Sequence, residues 1–296
     1  MPLPMRGAWD DDVMADGGAP AGGLSESFAQ RFAAARGGPG PLVFGLDPSA
    51  DLLESWGVGD SADGLDRFAD IVLAAADGPV GLIKPQSAFY ERHGWRGIQT
   101  LQRMITTARA ANLLVILDVK RGDVGSTNAA YAEAYLGSGA PLAADAITVH
   151  PYLGLAAMGS FVSRAAESGG CLLVVTRSSN PEGRAIQAAS EQQLLAGIGA
   201  LNARLAPGAI GPIGAVVGPT AVQPALDLAA ASCLFLAPGV GAQGAGAQDV
   251  AQVFAACPDR VMPSASRSLL SAGPDVRRLR DAVSALAAEF REVLAC

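Results

Sequence analysis

Histidine occurs only twice in the 296 residues, as His93 and His150, and cysteine four times, without a Cys-x-x-Cys pair. So thin a supply of soft ligands argues against a structural zinc site, and no metal is expected. Cys171 and Cys233 each open a short apolar run, so they read as buried strand thiols; with Cys257 and Cys296 they form no disulfide framework. Charged residues are also few, 17% against 50% hydrophobic, which excludes a disordered chain. The net charge is −7 and no basic run stands out, so the electrostatic footprint of a nucleic-acid-binding surface is missing. No apolar stretch is long enough to span a bilayer. Residues 1–23 carry Asp10, Asp11 and Asp12 where a signal peptide would have its apolar centre. These absences predict a cytoplasmic protein without membrane or nucleic-acid partners, with a flexible tail over 1–23 and one folded domain over 24–296.

What is present is a steady alternation of short apolar runs and longer periodic ones. The runs predict strands at Leu42–Asp47, Val80–Lys84, Leu113–Asp118, Ala146–Val149, Cys171–Thr176, Ala215–Val217, Cys233–Leu236 and Arg260–Met262. Three- and four-residue spacing of apolar side chains predicts helices near 61–76, 96–111, 127–137, 153–168, 190–203, 248–256 and 275–292, and another starting near Thr220. Continuous apolar strands alternating with helices are the pattern of a parallel sheet covered on its outer side. Eight such units predict a (β/α)8 TIM barrel. A doubly wound sheet would place G-x-G-x-x-G directly after its first strand, and GLDPSAD stands there instead.

In a barrel the reactive groups gather at the C-terminal ends of the strands. Those ends supply Asp47, Lys84, Asp118 and Lys120, then Ser178, Ser179 and Asn180, Gln243, and Arg267. Asp118 and Lys120 are two apart, so on a regular strand both point the same way, into a space where Val or Leu would otherwise sit. Burying a carboxylate and an ammonium there costs several kcal/mol, on the order of the penalty for any buried ion, unless they pair or meet a charged ligand. A structural ion-pair network closing the mouth is the plainer alternative. After the seventh strand, GVGAQGAG over 239–246 carries four glycines into a helix, a form suited to holding an anion on backbone amides, and Arg267 follows the eighth strand. Those two loops are where barrels commonly hold phosphate. Neither histidine has the neighbours of an acyl-transfer triad.

The stretch Asp118-Val119-Lys120-Arg121-Gly122-Asp123-Val124-Gly125-Ser126-Thr127 resembles the D-x-K-x-x-D-[IV]-x-x-T motif of the orotidine 5'-phosphate decarboxylases. The text around Lys84-Pro85-Gln86, Thr148-Val149-His150-Pro151-Tyr152, Ser179-Asn180-Pro181 and Pro238-Gly239-Val240-Gly241 is similar to the longer bacterial branch of that family. The resemblance implies a cofactor-free decarboxylation of orotidine 5'-monophosphate to uridine 5'-monophosphate in pyrimidine synthesis. It implies that Lys120 gives the proton to C6, Asp118 faces the substrate carboxylate, and Asp47 and Lys84 hold the ribose. Ser178 or Ser179 would contact the pyrimidine. Gln243, Arg267 and the amides around Gly239, Val240 and Gly241 would hold the phosphate. It further implies a homodimer in which Asp123 and Thr127 reach into the partner's site, and a lid over 181–189. Two other readings share the same strand ends: a metal-using sugar-phosphate epimerase or aldol-type synthase, and a barrel that binds a phosphate ligand without catalysis.

Overall fold

Strands that line a barrel have two apolar faces, one turned to the interior and one to the surrounding helices. The computed structural model, which describes residues 26–219, 226–241 and 244–295, is built that way. Strands β1 (Val43–Leu46), β2 (Leu82–Pro85), β3 (Leu114–Arg121), β4 (Ala146–Val149), β5 (Cys171–Arg177), β6 (Ile213–Val217), β7 (Phe235–Pro238) and β8 (Val261–Ala265) pair in sequence order, and β8 closes onto β1. Every pairing is parallel. The helices are α1 (Phe28–Gly37), α2 (Ala50–Ser55), α3 (Ala62–Ala76), α4 (Ala88–Glu91), α5 (Gly94–Ala110), α6 (Gly125–Tyr135), α7 (Gly159–Ser168), α8 (Arg184–Gln187), α9 (Glu191–Leu205), α10 (Ala247–Val253), α11 (Arg267–Leu270) and α12 (Val276–Val293).

The period-two rule divides the core into two bodies. Outward strand residues such as Phe44, Ile83, Val115, Leu117, Ile147, Leu172, Val174 and Phe235 pack with the helices in one large cluster. Inward residues, among them Val43, Leu82, Leu114, Ile116, Ala146, Leu173, Val216, Leu236 and Met262, form a second cluster inside the barrel. Helix α1 belongs to that inner body. Its Phe28 and Phe32, four residues apart on one face, are buried against the barrel's N-terminal end. A capping box between Ser27 and Gln30 starts α1, and Arg31 of α1 binds the buried Asp145 just before β4, with Nη1 2.5 Å from Oδ1. The interior is therefore filled at the bottom with hydrocarbon. At the top, continuing the same inward rows, stand Lys84, Asp118, Thr148 and Ser264, all buried.

Five strands run further at their C-terminal ends than their apolar runs predict, β2 to Pro85 and β7 to Pro238 among them. β3 continues past Asp118 to Arg121, β5 ends on Arg177, and β8 ends on Ala265 rather than Met262. β7 spans Phe235–Pro238, so Cys233 and Leu234 precede it instead of opening it. The helix predicted near Thr220 and the tail over 1–23 lie outside the described residues. Among the described residues after β6, one 3-10 turn, Ala229–Ala231, covers that sector. Cys171, Cys233 and Cys257 are buried free thiols. No described helix is long and apolar enough to cross a membrane.

Candidate active site

The polar top of the barrel opens into a cavity of about 340 Å³ lined by Asp47, Lys84, Asp118, Lys120, Ser178, Ser179, Gly239, Val240 and Arg267. At its floor the charges alternate in sign. Lys84 Nζ lies 3.1 Å from Asp118 Oδ2 and 3.8 Å from Asp47 Oδ1, and Lys120 Nζ lies 2.5 Å from Asp118 Oδ1. Burial alone would drive Asp118 toward its neutral form. The ammonium groups of Lys84 and Lys120, with hydrogen bonds from Lys120 and Thr148, outweigh it and hold the carboxyl well below the ordinary carboxylate range. For Lys84, burial pulls down, while Asp118 and Asp47 more than offset it and raise the value. Both groups are thus ionised in a nearly dry setting, which an apolar barrel would not tolerate without this mutual pairing.

The backbone that presents Asp118 and Lys120 is irregular. Leu117 pairs with Ile147 and Arg121 with Val149, so residues 118–120 stand against Thr148 alone in a bulge. Lys120 adopts φ +44°, left-handed for a side chain that ordinarily avoids it. The regular-strand argument therefore places Asp118 correctly, whereas Lys120 reaches the cavity through the bulge. Opposite, Gly45 of β1 leaves room for Ser266, because a Cβ on Gly45 would lie 2.6 Å from Ser266 Cβ. Asp47 Oδ1 and Ser266 Oγ are buried without a hydrogen-bond partner among the described residues. Such groups at a cavity wall are poised for a polar ligand.

Around the upper wall, Ser178 is already engaged. Its amide and hydroxyl bind Gln187 Oε1 at 2.9 and 3.1 Å, and its hydroxyl lies 2.6 Å from Asn180 Oδ1. Ser179 lines the cavity and makes no such bond among the described residues. Beneath this loop Arg177 and Glu191 form a buried ion pair, with Arg177 Nε 2.6 Å from Glu191 Oε2. On the other side, Arg267 opens α11, is exposed, and has no ion pair among the described residues. Gly239 and Val240 line the cavity but Gly241 does not. The Gly241 amide donates to Ala245 O at 2.8 Å and the Val240 amide to Ser264 O at 3.3 Å. Two of the three amides expected to cradle an anion over 239–241 are thus already engaged, that of Gly241 within its own turn and that of Val240 on β8. Gln243 lies outside the described residues.

Asp123 and Thr127 do not line the cavity of their own chain. The Asp123 amide donates to Asn128 Oδ1 at 2.9 Å, which fixes the start of α6, and Thr127 is exposed. Neither histidine lines the cavity. His93 Nε2 sits 3.4 Å from Asp60 Oδ1 beside Arg92, and burial together with Lys120 lowers His150 against the opposing pull of Asp118. Gln86, Thr148, Ser264 and Ser266 also line the site and were not singled out from sequence. The alternation Met262, Ser264, Ser266 and the inward pair Ala146, Thr148 carry the signal that finds them: a polar residue in an inward row.

Comparison with known proteins agrees with this geometry. The family model "Orotidine 5'-phosphate decarboxylase / HUMPS family" matches residues 40–282. Orotidine 5'-phosphate decarboxylase of Salinispora arenicola is 46% identical over 276 residues, covering 91% of this chain and 99% of that protein. The Streptomyces coelicolor enzyme of the same name is 45% identical, with 90% and 98% covered. A crystal structure from Streptomyces avermitilis, assigned to the same enzyme, superimposes with TM-score 0.86 at 44% identity, covering 92% of this chain and 97% of that one. With the match running from before β1 into α12, the chain belongs to the orotidine 5'-phosphate decarboxylase / HUMPS family.

Proposed function

We propose that this chain converts orotidine 5'-monophosphate to uridine 5'-monophosphate and CO2, and that it does so without a cofactor. The observation that carries the reading is the alternating row Asp47, Lys84, Asp118, Lys120 on the cavity floor. Breaking the C6–carboxylate bond leaves its electron pair in an in-plane orbital of the pyrimidine, where the ring cannot spread it. A fixed ammonium beside that carbon stabilises the charge, and a proton from Lys120 Nζ then completes the new C6–H bond. Lys120 regains its proton from solvent. Asp118 faces the substrate carboxylate and holds Lys120 and Lys84 in place. Asp47, with a buried oxygen lacking a hydrogen bond, takes the ribose hydroxyls together with Lys84.

Ser179, whose hydroxyl makes no bond among the described residues, is the better placed of the two serines for the pyrimidine edge, while Ser178 braces the loop through Gln187. Arg267 supplies the cation for the phosphate, and Gln243 and the Gly239–Val240 edge share in binding it. Remote phosphate binding aligns the base over Lys120. Segment 181–189 acts as a lid over this side.

The functional unit is a homodimer in which Asp123 and Thr127 enter the partner's cavity. Support comes from the surface around them. Val124, Tyr152 and Leu153 are exposed, Tyr152 at 83%, on two loops that pack together where the His150 amide donates to Arg121 O. The cytoplasm is the proposed setting, since three buried thiols carry no disulfide.

The test is the fall in ultraviolet absorbance of orotidine 5'-monophosphate on adding purified protein, with and without a chelator. Turnover is expected in both samples, and Lys120→Ala is expected to lose at least about 10³-fold in kcat while remaining folded. Activity that vanishes with chelator would favour a metal-using sugar-phosphate enzyme instead, and undiminished turnover in Lys120→Ala would remove the proposed proton donor.

A further inference from the structure

The bulge in β3 poses a physical problem whose solution lies on the neighbouring strand. Residues 118–120 leave the ladder with β4, so the Lys120 amide meets no carbonyl of that strand. Its donor goes to Thr148 Oγ1 at 3.0 Å, and the Thr148 hydroxyl in turn donates to Asp118 Oδ1 at 2.7 Å. Thr148 is 1% exposed and lies in the inward row of β4, where Ala146 precedes it. One hydroxyl therefore ties the left-handed backbone of Lys120 to the carboxylate that the Lys120 ammonium also grips. Directionality leaves little choice of orientation. The amide can only donate and the ionised carboxylate can only accept, so the hydroxyl must accept from one and give to the other.

We propose that Thr148 is a positioning residue for the decarboxylation, holding Lys120 in its φ +44° conformation and locking the Asp118 carboxylate in the orientation that aims Lys120 Nζ into the cavity. This rests on the reading of Lys120 as proton donor. Valine has nearly the shape of threonine, so Thr148→Val removes the relay while keeping the packing. It leaves the Lys120 amide without its partner, which favours a return of residue 120 toward ordinary strand geometry. Serine restores the hydroxyl without the methyl group.

The experiment measures kcat and KM for orotidine 5'-monophosphate, with uridine 5'-monophosphate affinity, for the full chain and the Thr148→Val and Thr148→Ser variants. Alongside them, the crystal structure of Thr148→Val is solved. Thr148→Val is expected to lose about 10–100-fold in kcat, with KM and product affinity changed less than about threefold, because the loss falls on alignment of the reacting group rather than on binding. Thr148→Ser is expected to recover most of that rate. In the Thr148→Val crystal, Lys120 should leave the left-handed region or its ammonium should part from Asp118. A Thr148→Val enzyme at the normal rate, or a serine variant as slow as the valine one, overturns the proposal. If the unaltered chain releases no CO2, the functional reading fails by itself. The crystal structure then decides the positioning claim, and an unchanged Lys120 geometry in Thr148→Val sinks it.

Discussion

Asp118 meets two ammonium groups, a threonine hydroxyl and almost no water, and its charge is tied to folding as well as to chemistry. Replacing it by Asn leaves Lys84 buried with only Asp47 as a distant counter-charge, at 3.8 Å. Removing one member of a buried pair costs about 3 kcal/mol or more, so Asp118→Asn should be destabilised by that order at neutral pH. The pH dependence has a definite sign. The folded value of Asp118 is depressed below that of the unfolded chain, so its contribution is complete above the unfolded value of about 3.9 and is lost as pH falls through the folded one. Urea unfolding should show a gap between wild type and Asp118→Asn that stays level from neutral pH down to about 5 and closes only in stronger acid. A gap that widens on acidification would contradict the pairing. At this scale the sequence is informative where chemistry clusters, as in Asp118-Val119-Lys120, and silent where a residue acts on another. Nothing in Thr148 alone shows that a bulge three residues wide stands opposite it, because that register exists only once β3 and β4 are paired.

The strand ends show why boundaries are harder to read than elements. Each strand's apolar run is legible because both its faces are buried, yet the run stops where the inward row turns polar. β3 and β8 continue for three more residues beyond that point, and Pro263 inside β8 looks like a terminator although it pairs opposite Ala237. The residues that make the site are the ones that disguise the strand beneath it. Helix α1 is hard to read from sequence for a different reason. Ten residues with two phenylalanines give little periodicity, and its signature is the Ser27–Gln30 capping box. Its weight in the fold is larger than its length suggests, since Phe28 and Phe32 complete the interior cluster. Phe32→Ala should lower the unfolding free energy by about 3–5 kcal/mol, the usual loss for a large aromatic deleted from a core. The matching measurement is a denaturant midpoint shift with an unchanged slope.

For the molecule as a whole, the count and order of strands were readable from alternation alone, and in the closed ring of eight parallel strands each strand lies beside its neighbours in sequence. What a single chain cannot display is the source of Asp123 and Thr127. Neither lines the cavity of its own chain, although the motif ties them to the same chemistry as Lys120. A shared site makes a quantitative prediction. Mixing inactive Lys120→Ala with inactive Asp123→Ala should restore about a quarter of wild-type activity once subunits exchange, because half the dimers then hold one intact site. No recovery after verified exchange would assign each cavity to one chain.

With inward strand side chains filling its lower half and Phe28 and Phe32 packed beneath them, the barrel is a blind well rather than a tunnel. Nucleotide, released gas and replacement water all pass the polar end, where the cavity lies among Ser178, Gly239 and Arg267. The two products therefore cannot part in opposite directions: the small one slips past the large one, or the large one vacates first. The traffic of the whole reaction is set by the hydrocarbon packed beneath the place where it happens.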